Sequence, residues 1–322
     1  MKRLIRSMAL VILCFFLLSQ QVFAAELLIP GGQVIGLELR DDSVIVAAFD
    51  DVCGGNAKDA GLCVGDTLVS IDSKPIQCIE DVRAALNASQ GAVSITVIHG
   101  SDEKTLRITP AATADGPKLG VYLRQGIAGI GTVTYYEPDT GNFGTLGHGV
   151  NNGSGKLLTM REGNAYTTEV LSVKRGQCGQ PGQLKGNTQT LIPIGTLSRN
   201  TAQGVFGKMA QPIVGEPLPV ADFEEVRLGK ATIRSTVDGN VVREYSVEIL
   251  KIYPEDRCDC RNFLLKVTDP ELLAATGGIV QGMSGSPIIQ DGKLVGAVTH
   301  VLVNDPTTGY GIFIENMLDN AR

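Results

Sequence analysis

Near its C-terminus the chain reads Gly282-Met283-Ser284-Gly285-Ser286-Pro287-Ile288-Ile289. A serine hydroxyl is a weak nucleophile until a neighbouring base takes its proton. The oxyanion that forms next needs aimed backbone N–H groups, and a glycine two residues before the serine lets the chain fold into such a hole. The donors are expected at Gly282 and Ser284, with Gly285 keeping bulk away and Pro287 stiffening the exit into an apolar strand. Only three histidines occur, His99, His148 and His300. His148 is the preferred base, because Gly147 and Gly149 leave its imidazole accessible. His300 and Ser286 are the rival base and the rival nucleophile, and His99, ending an apolar strand, reads as a surface histidine. A serine and a histidine used in this way carry out acyl transfer through a covalent intermediate.

Such a pair must be held by a rigid frame, and after Pro117 the sequence offers short strands. Leu119–Leu123 and Ile130–Tyr136 alternate, Glu137–Asn142 holds turn residues, and Phe143–Val150 leads back carrying His148. Strands are expected again at 166–173, 190–197 and 231–236, and Asp238-Gly239 marks a hairpin before 241–253. Regularly spaced short strands with turn signals argue for an all-β barrel or sandwich. Upstream, residues 27–110 read as strands around a helix with Ile79, Val82 and Leu86 on one face. Between the two regions, 111–117 is small, turn-prone and aperiodic, and reads as a linker.

The chain has 322 residues, which favours two domains, with 39 glycines, 5% aromatics and no Trp. Lys2, Arg3 and Arg6 precede an apolar run from Met8 to Leu18, and Val22-Phe23-Ala24 fits a small-x-small cleavage site ending at Ala24. The run alone would span about half of a ~30 Å hydrocarbon core, so a cleaved export signal is favoured over a retained anchor. Either way the remainder is expected outside the membrane. A formal charge of −6 without a Lys/Arg cluster argues against nucleic acid as a partner. Cys53, Cys63, Cys78, Cys178, Cys258 and Cys260 remain beyond the leader, so disulfides are permitted. Cys258-Asp259-Cys260 lacks a second pair for a metal site, and no cofactor is expected.

Three resemblances organise these observations. Ala60-Gly61-Leu62-Cys63-Val64-Gly65-Asp66-Thr67-Leu68-Val69-Ser70-Ile71-Asp72, with a helix after it, resembles the central block of a PDZ domain. That likeness implies capture of an extended peptide, with Val34-Ile35-Gly36-Leu37 as the loop of free N–H groups; an ordinary strand entry there is the equal alternative. The serine run resembles the G-x-S-G-x-P motif of chymotrypsin-fold peptidases, and His148 lies upstream as that fold's His…Ser order requires. Together with Gly129-Ile130-Gly131-Thr132-Val133-Thr134-Tyr135-Tyr136 and Phe143-Gly144-Thr145-Leu146-Gly147-His148-Gly149, the order of parts resembles the stage IV sporulation protein B family of serine peptidases.

The family resemblance implies a mainly β chain, a PDZ domain (α+β) followed by a chymotrypsin-like double β-barrel. It implies Asp269 as the acid that orients His148; Asp139, Asp222 and Glu271 stay open as alternatives. It further implies release into the space between two forespore membranes, possible tethering by residues 8–18, and cleavage of a membrane-bound regulator of an intramembrane protease. Self-cleavage near the N-terminus is implied too, with the PDZ domain taking a peptide ligand that could be the chain's own N-terminal segment. Two features depart from the family: few residues separate Ala24 from the first strand, and its motifs leave the six cysteines unexplained. Against this reading stand an inactive PDZ adaptor and a quality-control peptidase of the HtrA type, whose domain order is reversed. Thr276-Gly277-Gly278-Ile279 carries no charge, so the first substrate pocket is expected to take a small or apolar side chain.

Overall fold

Alternating burial along the strands sets the architecture. In Gly229–Thr236, for instance, Ala231, Ile233 and Ser235 are buried while the residues between them are more exposed, the period-2 pattern of a sheet with one face on a core. The computed structural model describes residues 26–153, 155–255 and 259–321. The apolar leader with its expected cleavage point at Ala24, Cys14 and Cys258 lie outside the described residues.

In chain order the elements are β1 (Leu27–Pro30), β2 (Val34–Phe49), α1 (Gly55–Asp59), β3 (Thr67–Ile71), α2 (Ile79–Asn87), β4 (Val93–His99), β5 (Asp102–Ile108) and β6 (Val121–Tyr136). There follow β7 (Asn142–Thr145), β8 (Glu162–Lys174), β9 (Gly195–Thr201), β10 (Gly204–Met209), β11 (Gly229–Thr236), β12 (Val242–Ile252) and β13 (Phe263–Val267). The last are α3 (Pro270–Thr276), β14 (Pro287–Gln290), β15 (Lys293–Leu302), β16 (Asp305–Phe313) and α4 (Ile314–Ala321).

Two barrels result. Strands β2, β6, β7, β10, β9 and β8 pair in that order, and β8 returns to β2 to close the ring. Its core holds Ile35, Leu37, Leu39, Val133, Phe143, Leu146 and Val205. The second barrel closes in the order β11, β12, β13, β16, β15, β14, around Ile233, Tyr245, Phe263, Leu265, Val298 and Phe313. Closure leaves a barrel no free edges, so both frames are stiff supports for whatever lies between them.

The PDZ unit is inserted into the first barrel. The far half of β2, from Val44, pairs with β3 and with the near half of β6, and β4 and β5 extend that sheet. Its core is separate: Val44, Val46, Leu68, Ile71, Val82, Leu86, Ile95, Val97 and Leu119. Where β2 and β6 pass from one core to the other, Arg40 to Ser43 face the single residue Gly126. Gly126 has φ +74, and a Cβ there would lie 1.9 Å from the Leu39 carbonyl oxygen; only glycine fits that close approach.

These pairings correct two expectations. Leu27–Leu39 belongs to the peptidase barrel and not to the PDZ unit, so the boundary drawn at 27–110 fails. Residues 111–117 are no bare linker either: Ala111–Thr113 pairs with Gly116–Lys118 beside the PDZ core. A strand can be shared by two domains when its length allows it, and at 16 residues β2 and β6 are each long enough.

Candidate active site

The nucleophile loop lies between the barrels and is fastened to both. From β6, Thr132 N–H donates to the Ser284 carbonyl at 2.9 Å, and the Thr132 and Thr134 hydroxyls donate to the carbonyls of Gly282 and Gly285 at 2.7 and 2.8 Å. Thr145 in turn donates its hydroxyl to the Thr132 carbonyl at 2.6 Å. From β15, the Val298 carbonyl accepts the Gly285 N–H at 2.7 Å. All three threonines are buried, so these bonds work in a low-dielectric setting where losing one would strand a polar group. Thr132, Thr134 and Thr145 stand inside the two sequence motifs quoted above, but their type gave no role; their contacts span 13 to 151 residues of sequence.

Gly282 and Gly285 adopt φ +100 and +96, and a Cβ on Gly285 would lie 1.9 Å from the Thr132 carbonyl oxygen. Within the loop, Met283, Gly285 and Ser286 N–H groups bond to Val280, Val298 and Met283 carbonyls. The N–H groups of Gly282 and Ser284 have no hydrogen-bond acceptor among the described residues. Two free donors two residues apart beside a serine hydroxyl are what an oxyanion needs. Rival Ser286 is fully buried with an unpartnered hydroxyl, out of reach of any substrate.

His148 reaches the same place from the first barrel. The expected strand through Val150 stops at Thr145, because Leu146 and Gly147 take φ +70 and +66 and bend the chain out of the ladder. His148 follows that bend, half-buried, and its Nδ1 lies 3.0 Å from the Gly149 carbonyl. A carbonyl only accepts, so Nδ1 carries the proton and Nε2 is left with its lone pair. Burial pushes the imidazole below the ordinary histidine range, with the Gly149 bond acting weakly the other way. The Ser284 hydroxyl donates to the Thr299 carbonyl at 2.8 Å; another staggered rotamer about its Cα–Cβ bond releases it from that bond.

Ser284, His148 and His300 line one cleft of about 380 Å³, together with Leu37, Ile127, Ile130, Ile279, Val280 and Val301. Among the described residues no carboxylate lines it. Asp269, the expected orienting acid, stands at the N-cap of α3: its carboxylate accepts the Glu271 and Leu272 N–H groups at 3.0 Å each and Ser246 N–H at 3.2 Å. The alternatives are engaged elsewhere or exposed. Asp222 caps a short turn through Glu224 N–H, Glu271 faces Arg243, and Asp139 is exposed in the β6–β7 turn.

The expected peptide-capture loop is also displaced. Val34–Leu37 pairs with β6 on one side and, from Ile35, with β8 on the other, so its backbone donors are spent in a ladder. A groove of about 270 Å³ lies instead between α2, through Ile79, Val82, Arg83 and Leu86, and the segment Pro117–Leu123. Leu119 and Gly120 N–H groups have no acceptor among the described residues. Gly120 has φ +71, and a Cβ on it would strike the Cys53 carbonyl oxygen at 2.1 Å. Lys118-Leu119-Gly120-Val121 has the glycine-in-apolar pattern sought upstream, read here as a peptidase strand. His99 is no idle surface residue: its Nδ1 lies 2.7 Å from buried Asp66, which Lys104 also approaches.

Two closed six-stranded barrels with a serine and a histidine lining one cleft at their junction, and a PDZ unit in the first barrel, define a serine peptidase of the chymotrypsin-like double-barrel class. Residues 51–98 match the PDZ domain family model, and residues 115–318 match the family described as SpoIVB peptidase S55. The chain belongs to the SpoIVB peptidase S55 family. Among curated proteins it is 28% identical over 246 residues to "Putative zinc metalloprotease R01501" of Rhizobium meliloti, covering 74% of this chain and 58% of that protein. A similarly named protein of Agrobacterium fabrum is 30% identical over 132 residues, covering 40% of this chain and 31% of its own length. The chain thus spans 58% and 31% of the lengths of these two curated relatives. Zinc enters that comparison by name only: with histidines at 99, 148 and 300 there is no His-Glu-x-x-His pair. Among the described residues no three His, Cys, Asp or Glu side chains are grouped to hold a metal. Among solved structures, the active form of the Rv3671c protease from M. tuberculosis overlaps 60% of this chain and 72% of its own at 16% identity and TM-score 0.38. The PDZ domain of an SdrC-like protein from Listeria monocytogenes overlaps 26% of this chain and 87% of its own at 24% identity and TM-score 0.23.

Proposed function

We propose that this peptidase is exported and cleaves one membrane-bound regulatory protein, and itself, in sporulation signalling that ends in sigma-factor activation. Ser284 is the nucleophile, His148 its base, and the N–H groups of Gly282 and Ser284 form the oxyanion hole. His148 Nε2 takes the Ser284 proton as Oγ adds to the substrate carbonyl. The oxyanion lies between the two free donors, and His148 passes its proton to the leaving amine. Water, deprotonated by the same nitrogen, then releases the acyl group and restores Ser284. The apolar lining of the cleft supports an uncharged, apolar residue before the scissile bond.

The observation that carries this reading is the pair of unspent N–H groups at Gly282 and Ser284 beside a neutral, accessible imidazole. The PDZ groove supports selection of a particular partner by an extended or C-terminal peptide, because α2 and Pro117–Leu123 offer an apolar trough ending in two free N–H groups. The leader sequence supports export, and family membership supports the sporulation role. Treating the exported portion with a fluorophosphonate tests the site: one adduct on the Gly282–Pro287 peptide, absent from S284A, is expected. Digestion of a membrane-anchored candidate and of the chain itself, with casein left whole, is expected for a dedicated signalling peptidase; broad casein digestion refutes it.

A further inference from the structure

Strand β6 joins the two places where this chain can hold a peptide. Its first residues, Val121 to Leu123, form one wall of the groove beside α2, and Ile127, Gly129 and Ile130 line the cleft of Ser284. Between those points its second edge is bare. Among the described residues the backbone of Val121–Gly131 is hydrogen-bonded to β2 alone, and β7 and β1 take up the other edge only from Val133 onward. No residue from Val121 to Ile130 is fully buried. A long unpaired strand edge is a template for an added strand, the way in which many sheets capture an extended peptide.

The outward-facing groups follow from their neighbours. In an antiparallel pair each residue turns its N–H and C=O to one side, and the side alternates along the strand. Thr132 turns both away from β2, to the Ser284 carbonyl and the Leu146 N–H, while Val133 N–H turns back to Gln33. Ile130 and Ala128 therefore aim their N–H and C=O groups at the cleft side. At the other end Val46 of β2 spends both groups on Asp66 and Gly65, so its partner Leu123 also faces outward. Gly126 lies between and offsets the alternation by one residue.

We propose that the free edge of β6 is a track for the substrate's C-terminal tail. The tail adds to β6 as an antiparallel strand, with its terminal carboxylate at the Leu119 and Gly120 N–H groups and its scissile bond at Ser284. This deepens the peptidase reading and rests on it, taking Ser284 as nucleophile and the groove beside α2 as anchor. The two ends fix the direction. A carboxylate at Gly120, just before β6 begins, makes the tail run against β6, so its upstream residues pass Leu123, Ala128 and Ile130 in turn and reach Ser284. The residues after the scissile bond then occupy the track. One tail residue faces each strand residue, so the stretch from Val121 to Ile130 sets the cut about ten to twelve residues before the C-terminus. A protein without a free tail gains neither anchor nor register, which fits action on one partner rather than on unfolded chains at large.

Pooled peptides about 24 residues long, randomised internally and ending in a free valine carboxylate, test this on the full exported chain, with S284A as the blank. Mass spectrometry is expected to find C-terminal fragments of about ten to twelve residues in excess. Lengthening the pool by about four residues is expected to lengthen only the N-terminal fragments. Amidation of the C-terminus removes the charged acceptor and is expected to slow cleavage about tenfold or more. A128P removes one outward N–H and leaves the ladder to β2 intact; it is expected to slow this cleavage about fivefold. Fragment lengths that ignore the C-terminus overturn the proposal, as do amidated peptides cut equally fast or an A128P chain that cuts like wild type. Peptides left whole while a fluorophosphonate still labels Ser284 overturn it too. If A128P does not fold, the peptide pools on wild type decide. No labelling of Ser284 removes the peptidase reading beneath the proposal, and the proposal with it.

Discussion

Replacing Asp269 separates two accounts of this active site. An acid that orients the catalytic histidine cannot be exchanged for its amide without a loss of about 10⁴ in turnover. The structure instead makes Asp269 an N-cap, accepting Glu271 and Leu272 N–H groups through one oxygen and Ser246 N–H through the other. Asparagine caps a helix about as well as aspartate, and its single oxygen can keep the bonds to the first turn. D269N is therefore expected to retain turnover within about threefold. D269A removes the cap, costing about 1 kcal/mol, and strands the Ser246 donor for about 1 more. For a domain of this size those 2 kcal/mol lower the melting temperature by about 4–8 °C. The assay pairs thermal unfolding with the initial rate of fluorophosphonate labelling for wild type, D269N and D269A. A thousand-fold loss in D269N with an unchanged melting temperature would refute the capping role and return Asp269 to the catalytic set.

Three other outcomes follow from the same geometry. Because burial lowers His148 and no carboxylate among the described residues raises it, the imidazole stays neutral below the ordinary value of about 6.5. The acid limb of kcat/KM should therefore lie below pH 6.5, and a limb above 7 would show an unseen anion at the base. G285A forces a Cβ to 1.9 Å from the Thr132 carbonyl oxygen at φ +96; it should abolish labelling of Ser284, and normal labelling would mean the loop is not clamped as described. G120A meets the Cys53 carbonyl at 2.1 Å and should weaken binding of a peptide with a free C-terminal carboxylate about tenfold or more. Fluorescence anisotropy reads this, with Ser284 labelling as the control, and unaltered binding would place the groove elsewhere.

Local signals reported themselves faithfully in the sequence. Gly282 and Gly285 announce backbone angles that other residues avoid, and the structure gives both positive φ. Gly147-His148-Gly149 marks an irregular place, and the chain bends there through Leu146 and Gly147. Asp269-Pro270 followed by an apolar run and Gly277 spells a helix with its N-cap, first-turn proline and left-handed C-cap. That signal was present beside the acid assignment carried over from the family likeness, and helix-capping chemistry explains the residue without recourse to catalysis.

Long-range pairing decided the rest. Nothing in Val34–Leu37 says whether its N–H groups are free or laddered; that depends on β6 and β8, about 100 and 130 residues away. The same holds for the PDZ insertion, since period-2 patterning gives a strand's face but not its partner or how many cores it crosses. His148 and His300 are separated by 152 residues and meet because two closed barrels bring β15 and the bend after β7 to one cleft. The sequence by itself determined which residues could do chemistry and where the backbone had to turn. Which of them share a solvent-poor cleft, and which acid is already spent on a helix, was settled only by closure of the barrels, because contacts between distant strands leave no periodic trace in either strand alone.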